Sequence, residues 1–367
     1  MVAPPMLSLP PRGYAGTERI VTTLAVELHA RGHDITVFAP GDSDLPCRVV
    51  PIVPRALWAT GVRGTPEEGL RQAAIMAFEQ RDSFDVIHSH VDTAAFPVAR
   101  ISDVPMVTTL HGRLDVRPTV ERIDAYPDVP LVAISESQRR WHPDANWAAT
   151  IPHGLDFAGT PFGGTGGDYL ALVGRISREK GIEEAIEVAR RTGRRLVVAA
   201  KVHEEHEHDL FRVVVEPAIA EGVVDWRGEL SGSDRDELLA GASATLMLGA
   251  WPEPFGLVAI ESMATGTPVI ARRAGALPEI IRHGEDGFLI DDIDEAVLAV
   301  ERVGTLDRRA IAVGARSRFS KERMTSRYET VYRSLAEAPR QPTGPGPRDR
   351  SVAAPDRRSS VEVQPVR

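Results

Sequence analysis

"ATLMLGAWPEPFGLVAIESMATGTPVIARR", running from Ala244 to Arg273, reads as a strand, a helix and a second strand. "ATLMLGA" and "TPVIARR" are short apolar runs of the kind that form buried strands. Between them, Pro254 suits the first position of a helix and Gly266 the residue just past its end, which predicts a helix over 254–265. Strand–helix–strand is the repeating unit of a parallel α/β sheet.

Outward from this unit the same alternation covers most of the chain. Towards the N-terminus, "DITVFAP", "FDVIHSH", "VPMVTTLHG", "PLVAISE" and "ATIPHG" read as buried strands ending in polar or glycine residues. "GTERIVTTLAVELHARG" (Gly16 to Gly32) reads as a helix with Ile20, Leu24, Val26 and Leu28 on its apolar side, stopped by Gly32. The glycine-dense "AGTPFGGTGGD" (158–168) breaks the rhythm as a linker, after which "YLALVGR", "RLVVAAK" and "VVDWRGE" restart it. The expected organisation is therefore two doubly wound Rossmann-like domains, over 1–157 and 169–320, facing each other across one cleft. A closing helix occupies 321–337. Residues 338–367, rich in Pro and Arg and poor in core formers, read as a disordered tail.

The bulk properties exclude several classes. Over 367 residues the net charge is −9, which argues against a nucleic-acid partner. The single cysteine, Cys47, allows no intrachain disulfide and fits a reducing compartment. No apolar run reaches the length of a membrane helix, and "MVAPPMLSLPPRG" lacks the basic start of a signal peptide. A cytoplasmic location is expected. The first strand is reduced to the stub "MVAPPM", which leads us to expect either a very short strand or a start further upstream.

The cleft lacks the fingerprints of dinucleotide and P-loop sites, G-x-G-x-x-G and G-x-x-x-x-G-K-[ST]. In "PPRGYAGTERI", Gly13 and Gly16 leave backbone amides open at a helix N-terminus, an anion site or an ordinary turn. In "LVGRISREKG", Arg175 and Lys180 follow the first strand of the second domain, where they form a diphosphate clamp or a solvated basic loop. Amides around Phe255, Gly256, Leu257 and Val258 would favour a phosphate. On a helix, Glu253 and Glu261 stand about 12 Å apart along the axis and about 80° apart around it. A glycosidase pair needs about 5–9.5 Å. A nucleoside diphosphate sugar suits the arrangement, with Glu253 on sugar hydroxyls, helix amides on the phosphates and Glu261 on the ribose. The alternatives are that Glu253 caps its own helix and Glu261 is a surface acid.

At these residues the chain resembles the retaining glycosyltransferases of the GT-B fold, in particular the family 4 bacterial sugar transferases. Glu253 and Glu261 match the E-x7-E motif, within "EPFGLVAIESMATGTPVIARRAGALPEII". "GRISREKG" resembles the family's Arg/Lys pair, "IPHGLD" its I-P-N-G-V-D and "GYAGTERI" its glycine loop, so that the likeness spans roughly residues 10 to 335. The resemblance implies a UDP- or GDP-sugar donor, no metal and no other cofactor, retention of configuration, and a closing helix that crosses back onto the first domain. It also implies that Arg175 and Lys180 neutralise the leaving diphosphate while Gly16 donates an amide to it. By the same resemblance, Glu253 orients the sugar, Glu261 holds the ribose and His111 faces the reaction centre. Against the pattern, His153 stands where Asn is usual, and the glycines of "GYAG" are separated.

Other residues were weighed for the acceptor or a metal. His88 and His90 in "VIHSH" are acceptor contacts or hydrogen-bonded structural residues. "KVHEEHEHDLF" reads as an acidic solvated loop or helix start rather than a metal site, and Asp292 in "DDIDE" as a helix cap. "TPEEGLRQAAIMAFEQRDS" is mixed in charge, which slightly favours a soluble acceptor over a lipid. The rival functions are a nucleotide-sugar epimerase or phosphorylase of the same fold, and a non-catalytic nucleotide-sugar-binding protein.

Overall fold

The computed structural model describes residues 1–13, 15–62 and 64–338. Apart from Ala338, the expected tail lies outside the described residues.

The first sheet is centred on one residue. Strands β1 (Thr36–Ala39) and β2 (Arg48–Pro51) pair in parallel, as do β3 (Ile87–Ser89), β4 (Met106–Thr109), β5 (Leu131–Ala133) and β6 (Trp147–Thr150) in that order. Val2 joins the two groups by bridging Phe38 of β1 and Ser89 of β3. Its amide donates to the His88 carbonyl at 2.8 Å, and its carbonyl accepts from the His90 amide at 2.9 Å. "MVAPPM" thus supplies a strand of minimal length at a fully buried position between β1 and β3.

The second sheet comprises β7 (Tyr169–Arg175), β8 (Arg195–Lys201), β9 (Val224–Gly228), β10 (Ala244–Met247), β11 (Val269–Arg272) and β12 (Gly287–Ile290). Their order is β12-β11-β10-β7-β8-β9 and every pairing is parallel. This is a doubly wound order whose direction reverses between β7 and β10, the point where such sheets bind ligands. β2 and β12 were not expected from the sequence.

The first helix, Thr17–Ala30, is capped by Gly16 and buries Ile20, Val21, Leu24 and Leu28. Val26 is only half-buried. Two residues on from Leu24, it lies about 200° around the helix, and Val21 takes the core position instead. The segment 158–168 has no regular structure but is packed: a Cβ at Gly163 would lie 1.7 Å from the Ala240 carbonyl oxygen.

The expected helix over 254–265 starts later, at Leu257, and ends at Ala264. Gly256 precedes it in the left-handed region at φ 101°, which prevents the helix from extending back to Pro254. The Pro254 carbonyl accepts instead from the Ser135 hydroxyl at 2.7 Å, which comes from the first sheet's side of the cleft. Glu253 therefore sits on a loop.

The closing helix, Lys321–Glu337, is capped by Ser320 and packs on the first helix. Arg31 and His33 both reach Glu329, at 2.8 and 2.9 Å. Ile20 and Leu24 share one buried cluster with Phe255, Ile260 and Tyr328, so a continuous core ties the two halves together. Among the described residues no helix is long and apolar enough to cross a membrane.

Candidate active site

Two glycines bring the loops after β7 and β10 into backbone contact. A Cβ at Gly181 would lie 2.3 Å from the Gly249 nitrogen, and one at Gly249 would lie 1.8 Å from the Glu179 carbonyl oxygen. No larger side chain fits this approach. It places Lys180 of one loop against Glu253 of the other, and their side chains form an ion pair. Glu253 is braced from behind, where its carbonyl accepts from the Ala276 amide at 2.8 Å.

The resulting cleft is narrow and is lined by Lys180, Glu253, Trp251, Gly256, Leu257 and Val258. The helix beginning at Leu257 directs its first amides towards this end of the sheet, as an anion site requires. Gly16 faces it from the other half: a Cβ there would stand 3.7 Å from Leu257 Cδ1. Phe255 turns away into the core, edge-on to His153 with ring centroids 4.9 Å apart.

Arg175 is held at the edge. Its Nη1 pairs at 3.2 Å with Oε1 of Glu207, a fully buried carboxylate. Glu207 also accepts from the His203 amide at 2.7 Å and completes a capping box with Glu204. The expected solvated acidic segment is thus in part a buried anchor. The reason is local: Glu204 and Glu207 have the spacing that satisfies the open amides of a helix start, here Glu205–Leu210. Asp292 behaves as expected, accepting from the Glu295 amide at 2.9 Å.

Glu261 is almost fully buried and lies between two guanidinium groups. Arg19, from the first turn of the first helix, pairs with it across the cleft, and Arg235 pairs with it at 3.2 Å. It is no surface acid. Arg19 and Arg235 were not singled out from the sequence, because neither has a local pattern to mark it.

The histidines gather into one column. His88 Nδ1 lies 2.7 Å from the Tyr332 hydroxyl, and its Nε2 lies 2.7 Å from the Thr109 hydroxyl. Both ring nitrogens are taken, which favours the structural alternative for His88. His90 Nδ1 lies 3.0 Å from His111 Nε2, and His111 stacks on His153 at 5.2 Å between centroids. Burial pushes the rings of His88, His90 and His153 well below the usual histidine range, and that of His111 down to about 3. These rings are neutral at ordinary pH. The loop carrying His111 is fixed by Asp92, whose carboxylate accepts from the His111 amide at 2.9 Å. Asp92 itself adopts a left-handed φ of 45°, uncommon for a residue with a side chain and costing of order 1–3 kcal/mol.

Residues 164–311 match the family described as glycosyl transferases group 1, and residues 14–156 match glycosyltransferase family 4. Glycogen synthase of Mycobacterium tuberculosis is 30% identical over 304 residues, covering 70% of each chain. The chain belongs to the family 4 glycosyltransferases. The D-inositol 3-phosphate glycosyltransferase of Mycolicibacterium smegmatis is 27% identical, over 85% of this chain and 83% of that one. Among solved structures, a glycosyltransferase involved in avilamycin A biosynthesis superposes with a TM-score of 0.68 at 26% identity, covering 90% of this chain and 94% of its own. This glycosyltransferase accordingly has the GT-B architecture of two Rossmann-like halves.

Proposed function

We propose that this glycosyltransferase moves a sugar, with retention of configuration and without a metal, from a nucleoside diphosphate sugar to an acceptor. A UDP-sugar is favoured over a GDP-sugar, and the reaction is assigned to the cytoplasm. The observation that carries this reading is the pairing of Lys180 with Glu253 at the point where the second sheet reverses, beside the helix starting at Leu257. A cation, a set of helix amides and a carboxylate in one cleft fit a diphosphate joined to a polyhydroxylated ring.

In the ligand-free protein the charges of the site neutralise one another. On donor binding the diphosphate takes Lys180, helped by Arg175 and the Gly16 amide, and sugar hydroxyls take Glu253. The ribose hydroxyls donate to Glu261, whose two carboxylate oxygens offer about four acceptor sites and can serve hydroxyls as well as Arg19 and Arg235. As the bond from the sugar's anomeric carbon to the phosphate oxygen breaks, Lys180, Arg175 and the helix stabilise the departing charge. The acceptor oxygen bonds to the anomeric carbon on the same face, and its proton passes to the departing phosphate oxygen.

Thermal unfolding with a panel of UDP- and GDP-sugars tests the reading, since each bound ligand stabilises the fold by mass action. Stabilisation by at least one nucleotide sugar is expected. No shift with any of them at millimolar concentration would overturn it.

A further inference from the structure

The guanidinium at the end of β7 is held by a carboxylate that the proposed reaction does not use. Glu207 is fully buried. Its Oε2 accepts two backbone amides, from His203 at 2.7 Å and from Glu204 at 3.1 Å. Its Oε1 accepts from Arg175 Nη1 at 3.2 Å. The capping box with Glu204 fixes this carboxylate on the first turn of the helix Glu205–Leu210. A group so placed cannot follow Arg175, so Arg175 must come to it.

The pairing is exclusive on both sides. Lys201 is the register partner of Arg175 in the adjoining strand, yet its Nζ lies over the Trp58 ring, 4.6 Å from the centroid. Among the described residues no cation other than Arg175 pairs with Glu207. Arg175 in turn makes no other side-chain hydrogen bond or ion pair among them, and 41% of its side chain is exposed. One corner of the guanidinium is therefore pinned from the buried side, while Nε and Nη2 are left to donate outwards. A planar fork can hold an anchor with one edge and a phosphate with another. The ammonium of a lysine, a point charge on a flexible stem, has no such second edge.

Resting on the transferase reading above, we infer that Glu207 is a positioning residue, which fixes the Arg175 guanidinium for the diphosphate and touches neither donor nor acceptor. Charge on the diphosphate grows as the bond to the sugar breaks, so a displaced cation weakens the transition state more than the bound donor. A displacement of about 1 Å can cost about a hundredfold in rate.

Glu207→Gln separates this role from that of a helix cap. The two backbone amides claim the new amide oxygen, which turns the NH2 group towards Arg175, donor against donor. The helix start stays satisfied and Arg175 is released. With whichever nucleotide sugar stabilises the protein most, kcat should fall at least tenfold, with a smaller change in donor KM. In an Arg175→Ala background the same substitution should cost less than a further twofold, because its effect passes through Arg175. Arg175→Lys should lose nearly as much as Arg175→Ala, and it leaves the helix start untouched should Glu207→Gln not fold. The pairing is also read without catalysis: Arg175→Ala leaves a buried charge uncompensated and should lower Tm, and adding Glu207→Gln should recover part of that loss. Unchanged or faster turnover in Glu207→Gln, additive losses in the double variant, or wild-type turnover in Arg175→Lys would each overturn the inference. Failure of the wild-type protein to turn over any nucleotide sugar, with the Tm pattern as stated, would instead remove the transferase reading beneath it.

Discussion

Arg19 and Glu261 stand 242 positions apart in sequence and meet as an ion pair across the cleft. One belongs to the first turn of the first helix and the other to the helix Leu257–Ala264 of the second half. The contact joins the two halves at the place assigned to the donor's ribose. Arg19→Ala leaves Glu261 with Arg235 as a partner, so the stability loss should be about 1–2 kcal/mol rather than that of an orphaned buried charge. Without the tie, the ligand-free protein should also open, giving a larger radius of gyration by small-angle scattering. An unchanged radius would mean that the shared core alone holds the halves together.

The histidine column makes stability depend on acid. Burial lowers the folded pKa values of His88, His90, His111 and His153, while the unfolded chain titrates them near 6.5. The neutral rings therefore contribute stability that is fully present above pH 6.5. As pH falls below that value the unfolded state binds more protons, and the contribution is lost progressively towards the folded values, about 3 for His111. Each fully discriminating ring contributes a slope of up to about 1.4 kcal/mol per pH unit. Thermal unfolding should show Tm falling steeply between pH 6.5 and 4.5. In His153→Asn, which installs the amide usual in the family, the fall should be shallower. An identical pH slope in the variant would exclude His153 from the effect.

Much of this was legible in the sequence. The alternation of strands and helices carried the fold, because buried parallel strands and amphipathic helices have different periods, and the helix Thr17–Ala30 ended where its glycines put it. Local rules failed where distant contacts decide. Pro254 has the chemistry of a helix start, yet a left-handed Gly256 and a hydroxyl from Ser135 override it. Glu207 was read only as part of an acidic loop or helix start, and its burial under Arg175 depends on how β7 and β8 align. Arg19 and Arg235 look like ordinary surface arginines in one dimension, and only their partners reveal them.

The approach of the loops after β7 and β10 depends on Gly249. Gly249→Ala would place a methyl group against the Glu179 carbonyl, so the loops must separate and Lys180 must withdraw from Glu253. The protein should still fold, with a loss of about 1–3 kcal/mol, while turnover falls by at least tenfold. Turnover close to wild type would show that the contact is dispensable.

Charge on the leaving diphosphate is assigned to Lys180, Arg175 and the helix amides. Turnover, or donor hydrolysis where no acceptor is supplied, should therefore survive EDTA. Complete loss with chelator and rescue by Mn2+ would contradict the proposed mechanism.

The central claim is that the two carboxylates divide the donor between them, Glu261 taking the ribose and Glu253 the sugar. Calorimetry of free UDP, or GDP if that is the nucleotide bound, against two variants tests it most directly. A hydrogen bond to a charged group contributes about 1.5–3 kcal/mol, so Glu261→Gln should weaken nucleotide binding by about tenfold to a hundredfold. Glu253→Gln should leave nucleotide affinity almost unchanged while lowering turnover of the whole donor. Equal losses of nucleotide affinity in the two variants would contradict the division and reduce Glu253 to a partner that positions Lys180.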